Sequence, residues 1–210
     1  MAKATYHHGD LRQSLIDCAC QQLMKDSADH LSLRALAREA GVSQTAPYRH
    51  FETKNALFAA VATYGFELMT EHLRAASEAY PDGVERAVNA LGLAYVEWAL
   101  ENPEKYQLFF DSSLVDFGSY DELHEAGCAC FEVLLELIQR GIQEKIFVDD
   151  SPEFLAGTLW SSVHGLASLL QSKDPRAMEK RRDAVVVKSI MAMAANPEQV
   201  INMFVNSIRR

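Results

Sequence analysis

SLRALAREAGVSQTAPYRHFETK, running from Ser32 to Lys54, decides how the rest of the chain is read. Ser32 is placed to cap a helix, since its hydroxyl can accept from an otherwise unpaired first-turn amide. Leu33, Leu36, Ala37 and Ala40 fall at helical spacing and make one apolar face, with Arg34, Arg38 and Glu39 off it. Gly41 stops this helix at a position that tolerates a left-handed backbone. Val42 is a small apolar plug. Ser43 is a second N-cap, and Gln44 to His50 reads as a second helix of about two turns, roughly 10 Å long. Such a rod fits a B-DNA major groove about 12 Å wide. Two helices about a glycine turn of this length make a helix-turn-helix.

The second helix carries suitable chemistry. Gln44 and Thr45 lie at its N-terminal end, which contacts bases in this motif. Tyr48, Arg49 and His50 can donate to phosphate oxygens, and Phe51 is an apolar anchor behind them. Thr53 caps the next helix. Lys54 adds a cation to that helix's free amides and positive dipole end, which together suit a phosphate.

The run LSLRALAREAGVSQTAPYRHFETKNALFAAV resembles the DNA-binding region of the TetR family of one-component bacterial repressors, over roughly Asp10 to Val61. The Gly-Val-Ser turn, the Tyr-x-His-Phe ending and the lysine that follows carry the likeness. It implies a homodimer that sets two reading segments in successive grooves of a palindromic operator. A small, largely apolar or aromatic effector would release it, and no cofactor is needed. On this reading Gln44 and Thr45 contact bases, Arg34 contacts a base or a phosphate, and Ser32, Ser43, Tyr48, Arg49, His50 and Lys54 anchor the backbone. Ala46 and Pro47 add no hydrogen-bonding side chain, so apolar contact with thymine methyls or DNA shape would share the work. Pro47 is also poor chemistry for a helix interior.

Outward from this stretch, the chain reads as all-α. Its 210 residues are 49% hydrophobic, glycine and proline number only 10 and 6, and no βαβ pattern occurs. The expected organisation is a three-helix DNA-binding domain over residues 1–54 and a helical ligand-binding and dimerisation domain over 55–210. The formal charge of −9, taken over the whole chain, argues against a nucleic-acid partner. Residues 1–54, however, hold seven Lys/Arg against six Asp/Glu, and residues 55–210 hold thirteen against twenty-three. Only the N-terminal end can face DNA. The N-terminus lacks an apolar run and no stretch reaches membrane-spanning length, so a cytoplasmic protein is expected.

In chain order, Met1 to Gly9, with Lys3, Tyr6, His7 and His8, is either a DNA-reaching arm or a frayed terminus. Asp10 to about Asp26 is a helix burying Leu11, Leu15, Cys18, Ala19 and Leu23. Thr53 to about Tyr80 is a long helix burying Ala56, Leu57, Ala60, Val61, Tyr64 and Leu68. The family resemblance makes it the link that carries a tilt from ligand site to reading head. Further helices are expected over 84–101, 104–110, 121–144, 152–170, 176–195 (with Lys180, Arg181 and Arg182) and 198–208. Turn chemistry at Pro81-Asp-Gly83, Asn102-Pro103 and Asn196-Pro197 separates several of them. The resemblance makes 152–170 and 198–208 the dimer surface, with Leu155, Leu159, Val163, Leu166, Val200, Ile201, Phe204 and Ile208 as its apolar residues. Burial within one subunit is the other reading.

The aromatic middle of the chain suits either a plain core or an apolar cavity. Tyr95, Trp98, Phe109, Phe110, Phe131, Trp160 and His164 are the candidate ligand contacts. Trp160 and His164 share a helix face at i, i+4, and with Gly165 they resemble a Trp-His-Gly signature of one TetR subgroup, as does ENPEKYQLFF. His164 would bond a ligand or be a satisfied core histidine. Cys18/Cys20 and Cys128/Cys130 form two Cys-x-Cys pairs. On a helix such residues diverge by about 200°, so a pair cannot chelate one metal, and buried small hydrophobes are the plain reading. A cysteine redox sensor would need an exposed, low-pKa thiol. No phosphate loop, nucleophile elbow or His-Glu-x-x-His is present, so neither a catalytic nor a metal site is expected. A helical-bundle carrier or enzyme for an apolar molecule, without DNA function, is the alternative.

Overall fold

The computed structural model describes residues 11–23, 31–110, 115–171 and 184–210. Among them are nine α-helices: α1 (Leu11–Leu23), α2 (Leu33–Glu39), α3 (Lys54–Glu78), α4 (Val84–Glu101), α5 (Pro103–Phe110), α6 (Asp121–Gln143), α7 (Pro152–Leu170), α8 (Val185–Ala195) and α9 (Pro197–Asn206). Short 3₁₀ turns occupy Pro47–Arg49 and Phe117–Ser119. The only strand-like pairing among the described residues is an isolated antiparallel bridge between Phe147 and Arg209. The expected all-α fold is the one observed. The N-terminal arm and Lys180, Arg181 and Arg182 lie outside the described residues.

The chain forms two compact units, residues 1–65 with 104–126, and 66–103 with 127–210. In the first, α1 packs on α2, and both pack on the 3₁₀ turn at Pro47–Arg49. Leu15, Ile16, Ala19, Cys20 and Leu23 of α1 meet Leu33, Leu36 and Ala37 of α2 in a small core with Leu31 and Phe51. The α1 stripe therefore sits slightly off the expected one: Ile16 and Cys20 are buried, whereas Leu11 and Cys18 are half-buried. α3 departs further. Leu57 to Ala62 are all buried, so the helix is enclosed on every side there, while Ala56, Tyr64 and Leu68 are only partly covered. A helix apolar all round defeats a one-face reading.

In the second unit α4 packs against α7 and α9, and α8 packs against both of the latter. Val84, Val88, Leu91, Tyr95 and Trp98 are the inner residues of α4. Leu155, Leu159, Val163, Leu166, Ile201 and Ile208 are buried within this chain, at 7% exposure or less. They form its own core, which removes them as direct contacts for a partner. The same helices leave Phe154, Trp160, Leu169 and Met203 exposed.

Candidate functional site

The turn between α2 and the reading segment is built as its residues dictate. The Ser32 hydroxyl accepts from the Ala35 amide at 3.2 Å and caps α2. Gly41 takes a left-handed φ of 69°. From there the Val42 amide donates back to the Ala37 carbonyl at 2.9 Å, closing the turn.

The second helix is not the two-turn α-helix expected over Gln44 to His50. Proline has no amide hydrogen, so residue 47 cannot donate to the Ser43 carbonyl. The Ala46 amide takes that carbonyl instead, at 3.0 Å, one residue short of α-helical spacing. The same i, i+3 pattern continues in Arg49 to Ala46 at 3.2 Å and His50 to Pro47 at 3.0 Å. The segment is a 3₁₀ turn with Pro47 buried beneath it. Ser43 does not cap as expected. Its hydroxyl lies 3.3 Å from that of Thr45.

This turn projects its polar side chains outward. Ser32, Arg34, Ser43, Gln44, Thr45, Tyr48, Arg49 and His50 are all exposed, whereas Phe51 is buried as their anchor. Thr53 accepts from the Ala56 amide at 3.0 Å and starts α3. Lys54, half-buried at that N-terminus, holds its ammonium 5.1 Å from the centre of the Phe58 ring. Two supporting residues were missed in the sequence. Phe58 was readable, being four residues on from Lys54. Arg12 was not. Its guanidinium lies 5.8 Å from the Phe51 ring and 3.0 Å from Glu122 Oε2, a partner 110 residues away.

The candidate ligand residues fall in two groups. Four join in the second compact unit. The Tyr95 hydroxyl stands 3.2 Å from His164 Nδ1, the His164 ring is 5.5 Å from that of Trp160, and Trp160 meets Phe131 edge-on at 6.1 Å. Burial pushes the His164 pKa down from its ordinary value. Trp98 is buried on α4 in the same unit. Phe109 and Phe110 belong to the other unit, where Phe110 contacts both Tyr106 and Phe109. Tyr95 and Trp160 also line an apolar cleft with Leu91, Leu134, Leu159 and Phe204. It holds only about 30 Å³, space for about a water molecule.

The cysteine pairs split as their spacing predicts. Cys20 and Cys130 are buried, Cys18 is half-buried and Cys128 is exposed, so the small-hydrophobe reading fits two of the four. Burial raises the thiol pKa of Cys18 and Cys20, and that of Cys130 to about 11. Since the thiolate is the reactive form, those three are poor redox sensors. Among the described residues no group of three or more His, Cys, Asp or Glu could hold a metal ion, and no helix is long and apolar enough to cross a membrane.

An exposed polar turn on a helix-turn-helix scaffold, in a chain that also holds a bundle of longer helices, is the arrangement of a DNA-binding regulator. Residues 15–61 match the family described as bacterial regulatory proteins, tetR family, and residues 88–193 match the tetracyclin repressor-like C-terminal domain. The chain belongs to the TetR family of DNA-binding transcriptional regulators, whose members are not enzymes. The C-terminal match names no Trp-His-Gly subgroup. An HTH-type transcriptional regulator of Mycobacterium tuberculosis (strain ATCC 25618 / H37Rv) is 26% identical over 103 residues, which is 49% of this chain and 44% of that protein. The chain thus spans about half the length of the curated relatives it matches. A protein of unknown function from Rhodococcus sp. RHA1 is similar over 99% of this chain and 100% of its own, at 30% identity and a TM-score of 0.77. A TetR-family regulator from Pectobacterium atrosepticum shares the fold at 24% identity and a TM-score of 0.65, over 87% of this chain and 91% of its own.

Proposed function

We propose that the protein is a cytoplasmic, ligand-responsive repressor that binds a palindromic operator as a homodimer. Residues 1–54 serve as its DNA-facing part and 55–210 as its effector and dimer part. One observation carries the reading: the buried Pro47 and Phe51 fix a 3₁₀ turn whose outward side chains are almost all polar. Gln44 and Thr45 read bases. Arg34 reads a base or a phosphate. Ser32, Ser43, Tyr48, Arg49, His50 and Lys54 hold phosphates.

So few basic residues per subunit favour a dimer, which doubles the phosphate contacts. Exposed Phe154, Leu169 and Met203 on α7 and α9 are its contact residues. The effector is apolar or aromatic and enters at Tyr95, Phe131, Trp160 and His164, with Trp98, Phe109 and Phe110 as further candidates. The cleft beside Tyr95 and Trp160 is far below the roughly 300 Å³ of small-molecule sites, so binding requires the helices around it to part. An effector favouring that opened state shifts the population away from the DNA-bound form.

The test is selection of bound duplexes from a random DNA pool at near-physiological salt. A recovered palindrome supports the dimeric operator reading. A folded, dimeric protein that enriches no motif shifts the assignment to an apolar-ligand carrier.

A further inference from the structure

A second cleft, unlike the apolar one in size and chemistry, lies wholly within the second compact unit. The last turn of α3 supplies Arg74, Ser77 and Glu78, the following turn supplies Pro81, and α6 supplies Glu136 and Arg140. It encloses about 260 Å³, close to the lower size of small-molecule sites, roughly 300 Å³.

Its charged groups are incompletely used. Arg74 Nη1 stands 3.6 Å from Glu136 Oε2, and Arg140 Nε stands 3.6 Å from Glu144 Oε1. Both exceed hydrogen-bond distance, which ends near 3.2 Å for such pairs. Nε and Nη2 of Arg140 are covered and have no hydrogen-bond partner. These two nitrogens form the edge of a guanidinium that grips a carboxylate through two parallel bonds. Leaving that edge covered and unbonded is costly. Glu78 lines the same cleft and makes no hydrogen bond or ion pair among the described residues. Ser77 is a buried polar side chain that lines the same cleft. It donates to the Arg74 carbonyl at 3.0 Å and keeps its own oxygen available to accept.

We infer that this cleft binds a small zwitterion, its carboxylate on the Nε–Nη2 edge of Arg140 and its ammonium on Glu78. The charge balance argues for a dipolar guest. Two guanidiniums and two carboxylates line the walls, so a bare anion meets Glu78 and Glu136, and a bare cation meets Arg74 and Arg140. A molecule with one charge of each sign satisfies both unused groups at once. Binding there requires the covered Arg140 edge to turn away from Glu144 and toward the cleft that the residue lines. The inference does not rest on the operator reading or on the apolar cleft.

The experiment measures thermal unfolding of the full chain with glycine, β-alanine or γ-aminobutyrate, which separate the same two charges by different lengths. Acetate and methylammonium, each at matched ionic strength, serve as the two halves. At least one zwitterion is expected to raise the unfolding midpoint saturably, by roughly 5–10 °C at a hundredfold excess over its Kd. Neither half should do so. Glu78→Gln, a change at an exposed helix end, and Arg140→Gln should each weaken binding at least about tenfold. The inference is overturned by a merely linear rise of the excluded-osmolyte kind with all three zwitterions. It is equally overturned by an acetate effect as large as theirs, or by undiminished binding in Glu78→Gln.

Discussion

The hydroxyl of Tyr95 on α4 and Nδ1 of His164 on α7 lie 3.2 Å apart, joining two helices of the body across 69 residues of sequence. One of the two donates, according to the histidine tautomer. The folded protein favours the neutral imidazole here, because burial lowers the His164 pKa. Protons therefore bind the unfolded chain more readily between the lowered folded value and the ordinary 6.5. His164 has no effect on stability above that window and erodes it as pH falls through it. Urea unfolding between pH 8 and pH 5 should show this loss, and His164→Asn should flatten its slope.

Lys54 and Gln44 should fail in different ways. Lys54→Ala removes a cation from the start of α3, so it should weaken binding to every DNA sequence and reduce the salt slope by about one unit per subunit. Gln44→Ala should instead relax preference at one base position, by roughly 1–3 kcal/mol of discrimination. Binding titrations at several salt concentrations, on matched and singly altered duplexes, separate the two. A uniform loss from both variants would contradict the division into reading and anchoring residues.

Pro47→Ala supplies the amide hydrogen that residue 47 lacks, so the Ser43 carbonyl, now held by the Ala46 amide, could accept at α-helical spacing. The reading segment should then relax from 3₁₀ toward α-helical bonding, and Gln44 and Thr45 should change their aim. Hydrogen exchange should reveal a protected amide at residue 47. The sequence preference recovered from a random pool should differ from that of the parent protein.

Gly141→Ala sets a methyl group into the Phe147 ring, which is 1% exposed and has nowhere to move. Overpacking of this kind costs about 1–3 kcal/mol, against a helix-propensity gain of about 1 kcal/mol. Net destabilisation is expected as a lower urea midpoint. Phe147→Leu in the same background should recover part of it.

Helix boundaries were legible where the sequence writes its own punctuation. α4 ends at Asn102-Pro103 as read, and α7 spans Pro152–Leu170 as read, with the Ser151 hydroxyl accepting from the Phe154 amide at 3.3 Å. Caps and breakers act within a few residues, so they can be seen locally. Burial cannot. α3 is buried on every side over Leu57 to Ala62, and a single-face periodicity misplaced Ala56, Tyr64 and Leu68, three of the six residues expected in its core. The same limit applied to the site. The exposed polar turn was visible because Gly41, Pro47 and Phe51 act on their neighbours. The assignment of Phe109 and Phe110 to one compact unit and of Trp160 and His164 to the other depended on tertiary packing, and so did the contact between Arg12 and Glu122. Pro47 was recognised as poor helix chemistry, but its consequence followed only from the missing bond to Ser43.

The helical divergence of each Cys-x-Cys pair has a practical side. In the pair on α6, Cys130 is hidden and held as a thiol, while Cys128, two residues earlier, faces solvent. A maleimide dye should enter at Cys128 well before Cys130, with no cysteine engineered into α6. Fluorescence from that dye would report directly on whatever molecule engages the body of the protein.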